Sequence, residues 1–278
     1  YIRITKHTIL TKKNKKYKIS FYDMALIDIE HMLEMRFNLY KKIIYNFNIS
    51  KKDALLENVM FYLCKKYFSA NVKTESIFNN ISMLWKFLDE NDYEKKLDNI
   101  SLFDENWLIS LFKSEYFTIK NKPNLSFEDK KYLYSFEEVL FGKKFFKSIW
   151  KNLNELYTIL DFSLVERYKF RESFGFITKS NLKELQNSLD SFILKHEKNN
   201  VDTFIAYQIV SFKLGVEKDF SLYDGENLIK IDEVSTLRKR LKQSMSNTVP
   251  FYIYINKEEM NETMKKDLKD ILLNTFTY

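Results

Sequence analysis

The chain has little glycine, little proline and no long uninterrupted apolar sequence. Its 278 residues include four glycines and two prolines, which argues against a turn-rich all-β fold and a glycine-rich phosphate loop. No apolar run approaches the roughly 18–20 residues that a membrane-spanning helix needs, and no signal peptide is evident. We therefore expect long helices with short connections, and no membrane partner.

Cysteine and histidine are also scarce. The one cysteine, Cys64, lies in an apolar helical run, so we expect a small buried thiol rather than a nucleophile. A single cysteine excludes an internal disulfide framework and favours a reducing, cytoplasmic or otherwise intracellular location. The histidines His7, His31 and His196 are far apart in sequence, and no His-Asp dipeptide occurs. The residue spacing therefore indicates no metal site.

Aromatic residues and lysine are abundant instead. The 25 phenylalanines and 18 tyrosines predict a core built largely from rings. The net charge is +7, which would suit an anionic partner such as a nucleotide or nucleic acid. The alternative is that the lysine content reflects an A/T-rich genome. Only residues 12–18 form a dense lysine cluster in the sequence.

The first part of the sequence has the periodicity of a β-hairpin followed by helices. Apolar and polar residues alternate over 2–10 and 16–22, which predicts a hairpin with a basic tip. Apolar residues then recur at three- and four-residue steps, which predicts amphipathic helices. Asp104 and Ser126 are typical residues for a helix start. The predicted helices cover 24–47, 51–68, 76–88, 92–101, 104–114, 127–140 and 143–158.

The pattern changes after about residue 160. Segments 204–212, 228–231 and 250–255 are rich in β-forming residues, and helices are predicted over 236–245 and 257–274. The expected fold class is mainly α: a multi-helix body with an N-terminal β-hairpin and a small C-terminal α+β lobe. The corresponding domain division is 1–160 for the body and 161–278 for the lobe.

Few residues carry a recognisable chemical pattern. Neighbouring carboxylates such as Asp89/Asp92 and Glu137/Glu138 are predicted to be helix starts and solvated faces rather than catalytic pairs. Arg36 is different, because it lies in an apolar stretch of a predicted helix. A guanidinium in such a place needs an anion. That anion is either a carboxylate of the chain or the phosphate of a ligand, and both alternatives remain open.

The sequence around Arg36, residues 33–46, resembles a helix of the HD-superfamily phosphohydrolases, particularly the SAM-and-HD-domain deoxynucleoside triphosphate triphosphohydrolases. In that family the helix carries an arginine, a Leu/Met-Tyr/His pair, a tyrosine and a His-Lys end. Arg36 matches the phosphate-contacting arginine. The family's tyrosine falls at Ile44 and its His-Lys pair at Asn46-Phe47. Tyr45 is one position away, which is about 100° on a straight α-helix, so the tyrosine and the His-Lys pair are not expected to carry over.

The resemblance extends along the chain in the family's order. Residues 2–21, 54–60, 87–92 and 140–147 are similar to successive family segments, and the strands after residue 204 are similar to its C-terminal lobe. The family's metal site, formed by a histidine, a His-Asp pair and a later aspartate, would precede Tyr1. The resemblance therefore implies the C-terminal part of such a protein.

The implied function is nucleotide phosphohydrolysis. The resemblance implies dNTP substrates, a divalent metal (Mg, Mn or Fe) without ligands in this chain, and a homo-oligomer. No catalytic residue is assigned within the chain, which alone should be inactive. The alternative is a catalytically inactive paralogue that serves as a scaffold or a nucleotide- or nucleic-acid-binding protein. The expected phosphate-binding residues are Arg36, Lys41, Lys42, Tyr40 and Tyr45.

Overall fold

The fold is mainly α-helical. A computed structural model describes residues 2–13, 16–68, 104–174, 179–199, 202–210, 220–245 and 248–276. These ranges contain eleven α-helices: α1 (Ile2–Lys6), α2 (Leu26–Leu39), α3 (Phe47–Phe68), α4 (Glu105–Lys120), α5 (Phe127–Phe141), α6 (Leu153–Ile159), α7 (Leu164–Phe174), α8 (Lys179–Asn199), α9 (Ile231–Val234), α10 (Thr236–Met245) and α11 (Glu262–Phe276).

Seven short strands accompany the helices in the described ranges. They are β1 (Thr8–Lys13), β2 (Lys16–Tyr22), β3 (Lys147–Ser148), β4 (Ile205–Ile209), β5 (Ser221–Tyr223), β6 (Leu228–Lys230) and β7 (Phe251–Ile255). The predicted class, mainly α with an N-terminal hairpin and a small C-terminal α+β part, is confirmed. The predicted helices over 76–88 and 92–101, and Asp89 and Asp92, lie outside the described residues.

Two small sheets join early and late parts of the chain. The first has the order β1-β2-β5-β6, in which β2 runs parallel to β5 and the other pairs are antiparallel. The second has the order β3-β7-β4 and is antiparallel. Both sheets therefore combine strands from either side of residue 160. The division of the chain into a body over 1–160 and a lobe over 161–278 remains a prediction.

The described residues form three hydrophobic clusters, and α3 contributes to two of them. The largest surrounds the fully buried Trp150, whose indole N–H donates to the Phe251 carbonyl at 2.8 Å. A second packs α3 against α4 and α5. A third packs α2 against β5, α9 and α10. Ile29, Leu33 and Phe37 are the buried residues of α2, as its predicted apolar stripe requires.

Several predicted helix starts are confirmed. The Asp104 side chain accepts the Trp107 N–H at the start of α4. Ser126 and Asp129 form a reciprocal capping box at the start of α5. The helix predicted over 236–245 is α10, and Ser235 caps it by accepting the Arg238 N–H at 3.0 Å. Local side-chain chemistry therefore sets these boundaries, which is why the sequence predicted them.

The predicted helix over 143–158 is wrong. Gly142 ends α5 with a φ of 67°, in the left-handed region that favours glycine. The Glu138 carboxylate then accepts the Phe145 and Phe146 N–H groups at 3.0 and 2.9 Å. The chain continues as β3 paired with β7, and α6 begins only at Leu153. A carboxylate from the end of α5 and a sheet partner distant in sequence thus replace the predicted first turns.

Other boundaries near the N-terminus also differ from the prediction. The segment predicted to be a strand from residue 2 begins as the short helix α1, and pairing starts at Thr8 opposite Phe21. The helix predicted over 24–47 is interrupted, and α3 begins at Phe47 rather than at 51. The helices α7 and α8 were not predicted. On α8, Leu185, Leu189 and Phe192 are buried at four- and three-residue steps, which is the apolar spacing of an amphipathic helix.

Two predicted environments are wrong. Cys64 is exposed on α3 rather than buried. Glu137 and Glu138 are buried rather than solvated, each 7% exposed. Glu137 accepts the Tyr116 hydroxyl at 2.9 Å and pairs with Lys143 at 2.9 Å. Their carboxylates stabilise the contacts around α5, because each has cationic or N–H partners.

The described helices are all too short or too polar to cross a membrane. This result agrees with the absence of a long apolar run in the sequence.

Candidate functional site: the arginine face of the second helix

Arg36 lies on the solvent side of α2. Its side chain is exposed, and its guanidinium carbon lies 5.3 Å from the centre of the Tyr40 ring, one helical turn later. Arg36 Nη2 also donates to the Tyr40 hydroxyl at 3.4 Å. Arg36 forms no ion pair with any residue that the structure describes. The sequence allowed two anionic partners for Arg36, a carboxylate of the chain or the phosphate of a ligand. A carboxylate partner is not observed among the described residues.

A π-helical turn follows α2 over Tyr40–Ile44. Its closing bond runs from the Tyr45 N–H to the Tyr40 carbonyl at 2.8 Å, which is the five-residue spacing of a π-helix. Such a turn holds one more residue than an α-helical turn and often occurs at functional sites. Tyr45, which directly follows the turn, is therefore displaced by one position around the helix, and the helix ends there.

This displacement places Tyr45 beside Tyr40. Their ring centroids are 5.7 Å apart, so both rings lie on one side of the helix. The expectation that Tyr45 is turned away by about 100° is therefore wrong, because it assumed a straight α-helix. We call Arg36, Tyr40 and Tyr45 the arginine face.

The C-terminal sheet holds the chain where the arginine face ends. The Tyr252 hydroxyl donates to the Tyr45 carbonyl at 3.2 Å, and the Tyr254 hydroxyl donates to the Phe47 carbonyl at 2.9 Å. Burial raises the pKa of Tyr252 to about 12 and that of Tyr254 further, so both hydroxyls stay protonated donors. Sequence reasoning did not identify these two residues. The available signal was a pair of tyrosines two positions apart in a strand whose other residues are aliphatic or aromatic.

From Arg36 to Lys52 the sequence carries only positive charge. Between Glu34 and Asp53 the chain contains no acidic residue and five basic ones. Lys41 extends over the Phe37 ring, with its ammonium 5.4 Å from the ring centre. Lys41 and Lys42 are exposed, and neither forms an ion pair with a described residue. An approaching anion therefore meets a locally positive surface.

The described residues supply no metal site. No group of three or more histidine, cysteine or carboxylate side chains lies close enough together to hold a metal ion within the described ranges. The divalent metal that the family resemblance implies therefore does not fit the residues described, and no chemical step of this chain is assigned to it.

A second surface, on the outer side of α3, carries negative charge. Asp53 and Glu57 lie one turn apart, and Asp190 on α8 accepts the Tyr207 hydroxyl at 2.7 Å. Partial burial raises the pKa of Glu57, and the charges of Asp53 and Asp190 raise it further. Partial burial also raises the pKa of Asp53. The ionised forms of Glu57 and Asp53 are thus disfavoured in the folded chain.

We predict that Glu57→Gln stabilises the chain near neutral pH. The pKa of Glu57 in the folded chain lies above its ordinary value of 4.5. Between these two pKa values the folded state binds more protons than the unfolded state, so the stability of the wild-type chain falls as pH rises. Melting temperatures at about pH 7.5 should be higher for the variant, and the difference should vanish at about pH 4. Glu226→Gln, at an exposed turn, controls for loss of one charge. An equal gain at both pH values would contradict the electrostatic explanation.

Comparison with known proteins does not assign the chain to a family. No family model matches its sequence, and no match was found among the curated proteins or the solved structures.

Proposed function

We propose that this chain binds the phosphate groups of a deoxynucleoside triphosphate at Arg36, as the C-terminal part of an HD-superfamily phosphohydrolase. The observation that carries this proposal is an exposed guanidinium without a carboxylate partner among the described residues, held over a tyrosine ring at 5.3 Å. Guanidinium groups bind phosphate through paired N–H donors, and within the described ranges Arg36 donates only to the Tyr40 hydroxyl.

The π-helical turn supports the same proposal. The family's tyrosine falls at Ile44 when the sequence is aligned on a straight helix, but the extra residue in the turn puts Tyr45 on the side of Tyr40 and Arg36. The absence of a tyrosine at position 44 is therefore no longer an argument against the resemblance. The departures at Asn46 and Phe47 remain, since Phe47 packs against the largest hydrophobic cluster.

The residues of the arginine face can bind and orient a ligand. Arg36 would neutralise phosphate charge, with a smaller contribution from the more mobile charges of Lys41 and Lys42. The Tyr40 ring limits the directions that the guanidinium can take. We further propose that the metal ligands required for hydrolysis lie outside these 278 residues, and that the protein assembles as a homo-oligomer.

We predict that the 278-residue chain binds dNTPs without hydrolysing them. Calorimetric titration with dATP and dGTP should give binding, whereas chromatography after incubation with Mg²⁺ or Mn²⁺ should give no nucleoside or triphosphate product. Robust metal-dependent hydrolysis would contradict the proposed location of the metal site. Absence of binding to any dNTP would contradict the proposed function itself, and would favour a scaffold that has lost the nucleotide site.

A further inference from the structure

The N-terminal hairpin exposes one face to solvent. Leu10 on β1 stands opposite Ile19 on β2, and Lys12 stands opposite Tyr17. Leu10, Ile19 and Tyr17 expose 67%, 66% and 64% of their surface, which is unusual for large apolar side chains that neighbour one another. We call these four residues the outer hairpin face.

The rest of the hairpin is held by the protein itself. Ser20 is fully buried, and its hydroxyl lies 2.8 Å from that of Thr11. Phe21 packs against Phe220, with ring centroids 5.8 Å apart. The base of the hairpin is therefore anchored to the third hydrophobic cluster, which fixes the position of the outer hairpin face.

The outer hairpin face also carries positive charge that no described residue neutralises. The Lys12 ammonium lies 5.6 Å from the centre of the Tyr17 ring. Lys12 forms no ion pair with a described residue. In the sequence, residues 12–18 include five lysines and no acidic residue. A second copy of this hairpin would be repelled, so charge complementarity favours an anionic partner.

We propose that the outer hairpin face binds single-stranded nucleic acid. A single strand presents a phosphate to Lys12, and unpaired bases whose flat faces can stack on the Tyr17 ring. The aliphatic pair Leu10 and Ile19 provides an apolar surface for a neighbouring base. A duplex keeps its base faces inside the stack, so it can use Lys12 alone. This surface does not include Arg36, so its test is independent of the proposed nucleotide site.

Fluorescence anisotropy of the whole chain with a labelled oligo-dT of about 20 nucleotides tests the proposal. Tyr17→Ala should weaken binding about tenfold, whereas Tyr17→Phe keeps the ring and should bind as wild type. Lys12→Gln should also bind more weakly, and it should reduce the slope of log affinity against log salt by about 0.7, the contribution of one phosphate contact on a single strand.

A charge-matched variant controls for net charge. Lys144 is an exposed lysine outside the hairpin, and its replacement by glutamine should change oligo-dT affinity by less than about twofold. Three results would overturn the proposal: no effect of Tyr17→Ala, equal affinity for a duplex of the same length, or binding to phosphatidylserine vesicles with none to oligo-dT. Circular dichroism of each variant confirms that the chain remains folded.

Discussion

Arg36→Gln should weaken binding of a deoxynucleoside triphosphate by about tenfold or more, since a hydrogen bond to a charged group contributes roughly 1.5–3 kcal/mol. The guanidinium is exposed and lies over the Tyr40 ring without an acidic partner among the described residues. Its removal therefore leaves no buried charge behind, and stability should change by less than about 0.5 kcal/mol. Calorimetric titration with dATP measures the first effect, and thermal melting measures the second.

Arg240→Gln is the matched control for this experiment. Arg240 is an exposed arginine on α10, so its replacement removes the same charge from another surface. An equal loss of affinity in both variants would indicate that net charge alone attracts the nucleotide. In any longer form of the protein that hydrolyses dNTPs, Arg36→Ala should abolish turnover while the protein stays folded. Turnover near the wild-type level would contradict the role assigned to Arg36.

Lys51→Met should lower the free energy of unfolding by about 3 kcal/mol. The Lys51 ammonium pairs with Glu138 and donates to the Phe146 carbonyl at 3.1 Å. Glu138 is 7% exposed, so loss of Lys51 leaves a buried carboxylate without its cation, which typically costs about 3–5 kcal/mol. We expect a loss near the lower end of this range, because the Lys51 side chain is still 17% exposed to solvent. Urea unfolding of the two proteins measures the difference.

Two further variants separate the charge effect from loss of packing. Lys52→Met, at the exposed neighbouring position, should change stability by less than about 0.5 kcal/mol. The double variant Lys51→Met/Glu138→Gln should be more stable than Lys51→Met, because it removes the unpaired charge while an amide oxygen remains to accept an N–H group. A loss below about 1 kcal/mol for Lys51→Met would show that the pair is not effectively buried.

The sequence predicted those parts of the fold that depend on local chemistry. The α5 start at Ser126, the α4 start at Asp104 and the buried stripe of α2 follow from side chains within a few residues of each feature. The segment over 143–158 could not be predicted in this way. Its structure depends on Glu138 and on pairing with β7, which lies about a hundred residues later in the chain.

The candidate site shows the same division. Arg36 and its neighbour Tyr40 could be predicted from the four-residue spacing of a helix. The position of Tyr45 could not, because periodicity assumes a regular α-helix and the π-helical turn over Tyr40–Ile44 moves Tyr45 beside Tyr40. The anchoring hydroxyls of Tyr252 and Tyr254 come from β7, so only the tertiary structure brings them to this junction.

A crystal structure of the chain bound to a non-hydrolysable dNTP analogue tests the central claim most directly. We predict phosphate oxygens within about 3 Å of the Arg36 guanidinium, on the side of α2 that carries Tyr40 and Tyr45. An analogue bound elsewhere, with Arg36 paired to a carboxylate of the chain, would contradict the account.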